Sequence, residues 1–191
     1  MDHSISSPPL VSAIAARSES TRAVRVASML FMTALTAAAA QISVPLPLTS
    51  VPFTFQPMVV LLGGLALGSR LGPASQVLYL ALGVAGLPVF AASPMLPPGL
   101  LRLLGPTGGY LMAYPFAACA VGYLAERGLD RRYVTSFFAM LAGLMVIYAS
   151  GALWLGLFAG QQAVGLANAL ALGVYPFVLA DLFKLLVAAS V

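Results

Sequence analysis

Apolar residues run along this chain in six blocks, at about residues 23–44, 57–68, 73–91, 105–125, 134–158 and 175–189. A membrane-crossing helix needs roughly 20 apolar residues. Most of the blocks meet that length, and the second does so only if its flanks contribute. None shows the ten-residue alternation of an outer-membrane barrel. The pattern therefore predicts an all-α integral membrane protein with six transmembrane helices. The interruptions between blocks are of two kinds. Some are charged: Arg17, Arg22 and Arg25 precede the first block, Arg70 follows the second, and "ERGLDRR" follows the fourth. The others are rich in proline or glycine and nearly uncharged: "SVPLPLTSVPFTFQP", "ASPMLPPGLLRLL" and "AGQQAVGLANALALG".

Alternating spans place Arg17, Arg22, Arg25, Arg70, Arg127, Arg131 and Arg132 on one side and Arg102 alone on the other. The positive-inside rule makes the first side cytoplasmic, together with both termini. Segments 45–57, 92–104 and 159–172 then share the outer face, and the inner turn at 69–72 is tight. Apolar connections of that length are expected to fold back as a cap over a cavity rather than extend into water.

Composition agrees with this picture. Charged residues make up 7% of the chain and hydrophobic ones 61%, against about 25% charged in soluble domains. A water-facing surface cannot be built from so few charges. Residues 1–22 read as a flexible cytoplasmic tail and 23–191 as the membrane domain. No cleaved signal peptide is expected, because the first apolar run starts late and lacks a clear cleavage site. The net basic charge signals orientation in the membrane and not nucleic-acid binding. Cys119 is the only cysteine and His3, in the tail, the only histidine. That excludes an intramolecular disulfide and a cysteine-based zinc site, and leaves the membrane domain no histidine base. No P-loop or H-E-x-x-H motif occurs, and no histidine can activate a serine or threonine. Neither an enzyme nor a bound cofactor is expected. Glu126 and Asp130 lie among arginines and read as a solvated charge cluster.

The sharpest polar feature lies in "VYPFVLADLFKLL" at 174–186. Lys184 is the only lysine in the chain, and Asp181 stands three residues before it, on the same face of a helix. Pro176 suits a first turn, so the last span is expected to begin near Tyr175. The pair would then lie roughly 9–13 Å below the outer end. Ionisable residues at that depth face a bundle interior or a cavity. They are either a structural ion pair or a grip on a polar neutral group that offers both a donor and an acceptor. "GPTGGYL" at 105–111 opens a span, and its free N–H groups could meet a carboxylate or phosphate. A packing role for its glycines is the alternative. The glycines of 67–91 read as helix packing, with Gln76 and Tyr79 as interhelical hydrogen-bond points. In the first span Ala23 and Ala27, and again Ala34 and Ala38, form small-xxx-small pairs. They make a smooth face for another helix, of this bundle or of a partner.

Taken together and in order, "VPFTFQ" (51–56), "GSRLGPASQVLYLALGVAGLPVFA" (68–91), "GPTGGYL" (105–111) and "YPFVLADLFK" (175–184) resemble the BioY family over about residues 25–187. BioY proteins are the biotin-capturing S components of energy-coupling-factor (ECF) vitamin transporters. The resemblance implies a six-helix S-component fold in a bacterial inner (cytoplasmic) membrane, with a biotin pocket near the outer face. It implies that Asp181 and Lys184 hold the ureido ring. It also implies that Ala34 and Ala38 dock to a membrane coupling (T) subunit, which two cytoplasmic ATPases drive. The expected biotin-binding set is Asp181, Lys184, Thr107, Gly108, Tyr110, Tyr175, Trp154, Gln56 and Ser93, with Phe177 as a further packing surface. For the biotin carboxylate, the "GPTGG" backbone with Thr107 is the first choice and Arg102 the second. One departure is visible: the loop "ASPMLPPG" carries Ser93 as its only polar side chain, where relatives often place an asparagine or another polar residue. The alternative function is a non-transporting scaffold that assembles through its alanine face, with Asp181–Lys184 as a purely structural pair.

Overall fold

The computed structural model describes residues 21–47, 49–92 and 96–190. Most of the expected tail, and Ser93, lie outside the described residues. Helix α1 is Thr21–Gln41. A short antiparallel pair follows, β1 Ser43–Val44 with β2 Phe53–Thr54. Then come α2 Gln56–Val84, α3 Leu101–Leu104 and α4 Gly108–Leu124. A π-turn at Ala125–Leu129 leads to α5 Tyr133–Leu153, which ends in a second π-turn at Trp154–Phe158. The chain finishes with α6 Leu166–Gly173 and α7 Tyr175–Ala188.

Helix α2 is two spans joined at a single residue. Gly68 has φ 78° and ψ −178°, a conformation open to glycine and strained for any residue with a Cβ. The chain folds back there. A Cβ on Gly72 would lie 3.0 Å from the Cα of Gly64, whereas eight residues along a straight helix span about 12 Å. The inner turn expected at 69–72 is thus compressed into Gly68, and the helix already continues through Pro73. Ser69 opens the second arm, and its N–H and hydroxyl both donate to the Glu126 carboxylate, at 2.8–2.9 Å. Glu126 is therefore not the solvated charge expected from the sequence. It caps a helix whose first N–H groups would otherwise lack acceptors.

Three described helices, Arg22–Gln41, Gln56–Val84 and Tyr133–Phe158, are each long and apolar enough to cross a membrane, and the pair α6–α7, bent by 44°, adds a fourth. With α2 doubled back on itself, and α4 about 26 Å long at 1.5 Å per residue, the architecture agrees with the six-span expectation. The surface supports a lipid setting: Phe31, Phe116, Phe138, Leu179 and Phe183 all point outward and exposed. Inside, Thr33 donates to the Ser75 carbonyl and Gln76 donates to Thr36, which ties α1 to the second arm of α2.

Two departures from the sequence reading matter for the site. The first arm of α2 has 12 residues, 56–67, about 18 Å against a hydrocarbon core of about 30 Å. The β1–β2 loop completes that crossing by dipping into the bundle, where Val51 and Thr54 are buried. Irregular backbone at such depth is tolerated only when protein covers it and satisfies its polar groups. The second departure is α6, in a segment expected to be loop. "LANALALG" is made of good helix formers, and the break comes later, at Val174 before Pro176. The helix that bears Asp181 and Lys184 starts at Tyr175, as expected, and α6 precedes it across a 44° bend.

Candidate functional site

A cavity of about 490 Å³ opens under the proline-rich loops and descends between α2, α4, α5 and α7 to Asp181. Its mouth is formed by residues 45–47 and 49–53, by residues 90–92, and by Arg102, Thr107 and Gln162. Its middle is apolar or aromatic: Leu111, Ile147, Tyr110 and Phe177. Its floor gathers Asp181, Tyr148, Tyr114, Gln56 and Thr54. An apolar shaft with a few polar groups at its ends is the usual form of a small-molecule site.

The floor is organised around Asp181. Lys184 Nζ donates to Oδ1 at 2.7 Å and Tyr148 donates its hydroxyl to Oδ2 at 2.6 Å. Lys184 also donates to the Thr54 carbonyl at 2.6 Å, and its nitrogen sits 3.6 Å from the centroid of the Phe53 ring. Both charged side chains are buried. The lysine thus serves two elements at once. It neutralises the carboxylate one turn before it, and it satisfies a carbonyl of the dipping loop. The aspartate faces the cavity, and the lysine lies behind it, off the cavity wall. Gln56 Nε2 donates to Tyr79 at 2.6 Å, and Tyr79 donates to the Val89 carbonyl at 3.2 Å. This relay ties the floor to the loop that carries Phe90.

At the mouth, Arg102 turns inward and is buried, with Nη1 donating to the Ala91 carbonyl at 2.7 Å and Nε to the Pro97 carbonyl at 3.3 Å. No acidic partner faces it among the described residues. Burial pushes its pKa below the ordinary value. A guanidinium in this state gains from an incoming anion.

The expected residues divide. Asp181, Gln56, Thr107, Tyr110 and Phe177 line the cavity, and Lys184 stands directly behind Asp181. Trp154 does not line it. The indole N–H donates to the Gly105 carbonyl at 2.9 Å, and the ring fills the space left by Gly109, where a Cβ would lie 2.2 Å from that of Trp154. Gly108 belongs to the same seam: a Cβ there would meet the Leu103 carbonyl oxygen at 1.8 Å. The "GPTGG" glycines are needed for close packing, and only Pro106 and Thr107 of that run reach the cavity. Tyr175 is 67% exposed and outside the cavity. Ala34 and Ala38 are exposed on α1. Tyr148 and Tyr114 were missed. Each shares an apolar helix with other hydroxyl-bearing residues, Tyr110 and Tyr123 in α4 and Tyr133, Thr135, Ser136 and Ser150 in α5, and nothing in the chain marks which of them points into the cavity.

A family model described as the BioY family matches residues 12–191. A "Probable biotin transporter BioY" from Pyrococcus horikoshii is 42% identical over 164 residues, 85% of this chain and 90% of the relative. A "Biotin transporter BioY" from Thermotoga maritima is 38% identical, over 83% of this chain and 88% of its own. Among solved structures, the S-component for biotin from an ECF-type ABC transporter superposes with a TM-score of 0.79 at 24% identity, covering 91% of this chain and 90% of that one.

Proposed function

The chain belongs to the BioY family, and from that premise we propose that it captures biotin at high affinity and delivers it across a bacterial inner membrane. The family is one of transporters and not of enzymes. One observation carries the reading: the cavity has a buried carboxylate at its floor and, at its mouth, a buried guanidinium with no acidic partner among the described residues, with an apolar shaft between them. Biotin has the matching polarity. Its ureido N–H groups seek an acceptor, its ring sulfur and aliphatic tail are apolar, and its tail ends in a carboxylate. In this reading Asp181 accepts from the ureido N–H. Lys184 holds Asp181 and the Thr54 loop in place, Tyr110 and Phe177 flank the rings, and Thr107 and Arg102 meet the carboxylate. Arg102 is a better partner for that group than the glycine backbone, because it is charged and already turned into the cavity.

Partner docking is proposed for the outward face of α1. Ala34 and Ala38 lie exposed beside Phe31 and Leu35, and this smooth strip suits close approach by a helix of a membrane coupling subunit. That subunit and two cytoplasmic ATPases complete the proposed transporter. The scaffold alternative is not favoured, since a scaffold has no use for a polar-ended cavity.

Purified chain in detergent is expected to melt at a higher temperature with biotin and at an unchanged temperature with thiamine or riboflavin. A ligand at about 100 times its Kd adds roughly 2.7 kcal/mol of stability, well within reach of a thermal-shift assay. No shift with biotin would refute the reading. Arg102→Gln is expected to weaken biotin roughly ten- to hundredfold, the scale of a lost charge-assisted hydrogen bond. The same variant should leave the binding of biotin amide, whose tail is neutral, nearly unchanged. Equal losses for both ligands would move the carboxylate site elsewhere.

A further inference from the structure

Helix α4 ends in a feature that the cavity does not use. Phe116, Cys119, Tyr123 and Arg127 are exposed at spacings of three, four and four, so they share one outward face. The face changes character along its length, from apolar Phe116 through the half-exposed ring of Tyr123 to the charge of Arg127. Eleven residues of helix rise about 16 Å, close to half of a hydrocarbon core of about 30 Å. The stripe therefore has the length and the polarity order of one lipid leaflet, with Tyr123 at the level where membrane proteins place interfacial tyrosines. It is also separate from the proposed docking face, since α1 packs chiefly on α2, and α4 on α2 and α5.

The cation at the end of the stripe is held ready. The Arg127 guanidinium lies 4.1 Å from the centroid of the Tyr123 ring and donates to its hydroxyl. Stacking of this kind fixes the planar fork that meets a phosphate through parallel hydrogen bonds. The adjacent Glu126 does not pair with it, because both carboxylate oxygens are spent on Ser69. Asp130, the other acid of the loop, keeps Oδ1 buried. Arg70 follows Ser69 as Arg127 follows Glu126, so the Ser69–Glu126 clasp brings a second exposed arginine to the same corner. Among the described residues neither arginine has an acidic partner.

We propose that this corner is a binding site for one anionic phospholipid of the cytoplasmic leaflet. Arg127 and Arg70 meet the headgroup phosphate, Tyr123 sits at the glycerol level, and Phe116 flanks an acyl chain. The apolar continuation of the stripe favours a lipid over a soluble anion or an acidic protein surface, neither of which has a use for Phe116. The inference needs only the orientation set by the arginines, and it stands apart from the biotin reading.

Full-length chain in detergent is titrated with phosphatidylglycerol and with phosphatidylcholine, and the lipids retained are counted by native mass spectrometry. The wild-type chain is expected to hold one phosphatidylglycerol at least about tenfold more tightly than phosphatidylcholine, the scale set by two arginines at an anionic headgroup. Arg127→Gln and Arg70→Gln should each reduce that preference roughly fivefold. Tyr123→Leu should reduce it too, although the charge is unchanged, because Arg127 loses its stack. Arg25→Gln removes one charge from α1 and should keep the preference. Equal retention of the two lipids by the wild-type chain overturns the proposal, and that result needs no variant to fold. Equal losses in Arg25→Gln and Arg127→Gln overturn it as well, since net charge rather than a site would then set the preference. Displacement of the lipid by equimolar inorganic phosphate overturns it in favour of a soluble anion. The thermal shift with biotin is read separately, so failure of this site and failure of the biotin reading are distinguishable.

Discussion

Asp181→Asn is expected to lower biotin affinity by at least about a hundredfold. The carboxylate accepts from Lys184 and from Tyr148, and in the proposed complex it has a third duty on the same two oxygens, accepting from the ureido N–H. An amide has one acceptor oxygen, and its NH₂ must point at one of these donors. A hydrogen bond to a charged group contributes roughly 1.5–3 kcal/mol. Removing one partner of a buried ion pair costs about 3–5 kcal/mol, because the other charge is left behind. Here that charge is Lys184, with only the Thr54 carbonyl and aromatic faces for company. Lys184→Met is expected to weaken biotin at least about tenfold by a related route, since Asp181 loses its anchor and the Thr54 carbonyl its donor.

Single variants mix stability with recognition, so the pair is best judged by the double variant. Replacing both members of a buried ion pair with neutral residues is often harmless to stability. The combination Asp181→Asn with Lys184→Met is therefore expected to recover much of the melting temperature and none of the affinity. Isothermal titration and thermal unfolding on the same preparations separate the two. Biotin binding that returns with stability would show the pair to be structural only.

The second large effect is on folding. Gly122→Val is expected to lower the melting temperature by roughly 6–12 °C, from an overpacking cost of about 3 kcal/mol or slightly less at 2–4 °C per kcal/mol. A Cβ at residue 122 would lie 2.4 Å from the carbonyl carbon of Gly68 and 2.5 Å from the Ser69 nitrogen. Both are backbone atoms of the fold-back turn, so neither can rotate away. Displacing that turn would also pull Ser69 from the Glu126 carboxylate, which lies one helical turn beyond Gly122. Leu179→Ala, at an outward position that is 82% exposed, serves as the control and should shift melting by only a degree or so. Matching melting curves for the two variants would show that the tight crossing at Gly68 contributes little.

Much of the fold was legible along the chain because its signals are local. The apolar blocks located α1, α4 and α5 to within a few residues. The arginine distribution ordered the loops, and the three-residue spacing placed Asp181 and Lys184 on one face. The errors came where the local signal was ambiguous. Proline and glycine around "AGQQAVGLANALALG" suggested a loop, yet the run Leu166–Gly173 contains no breaker before its end and forms a helix. Glu126 looked solvated because its neighbours are arginines, while its actual partner, Ser69, is 57 residues away.

What the sequence by itself determined is the class of protein, the order of its spans, and the presence of one acid–base pair in an otherwise apolar last helix. These follow from composition and from spacings shorter than two turns. Only the tertiary structure decided that Asp181 faces the cavity while Lys184 stands behind it, that Tyr148 and Tyr114 join the floor, and that Trp154 and Tyr175 do not. In a soluble helix the polar face marks the outside, and rotation can be read from the pattern. In a membrane helix the lipid-facing and core-facing residues are both apolar, so that pattern is lost. Which way a tyrosine points is then set by the packing of glycines and loops far away in sequence.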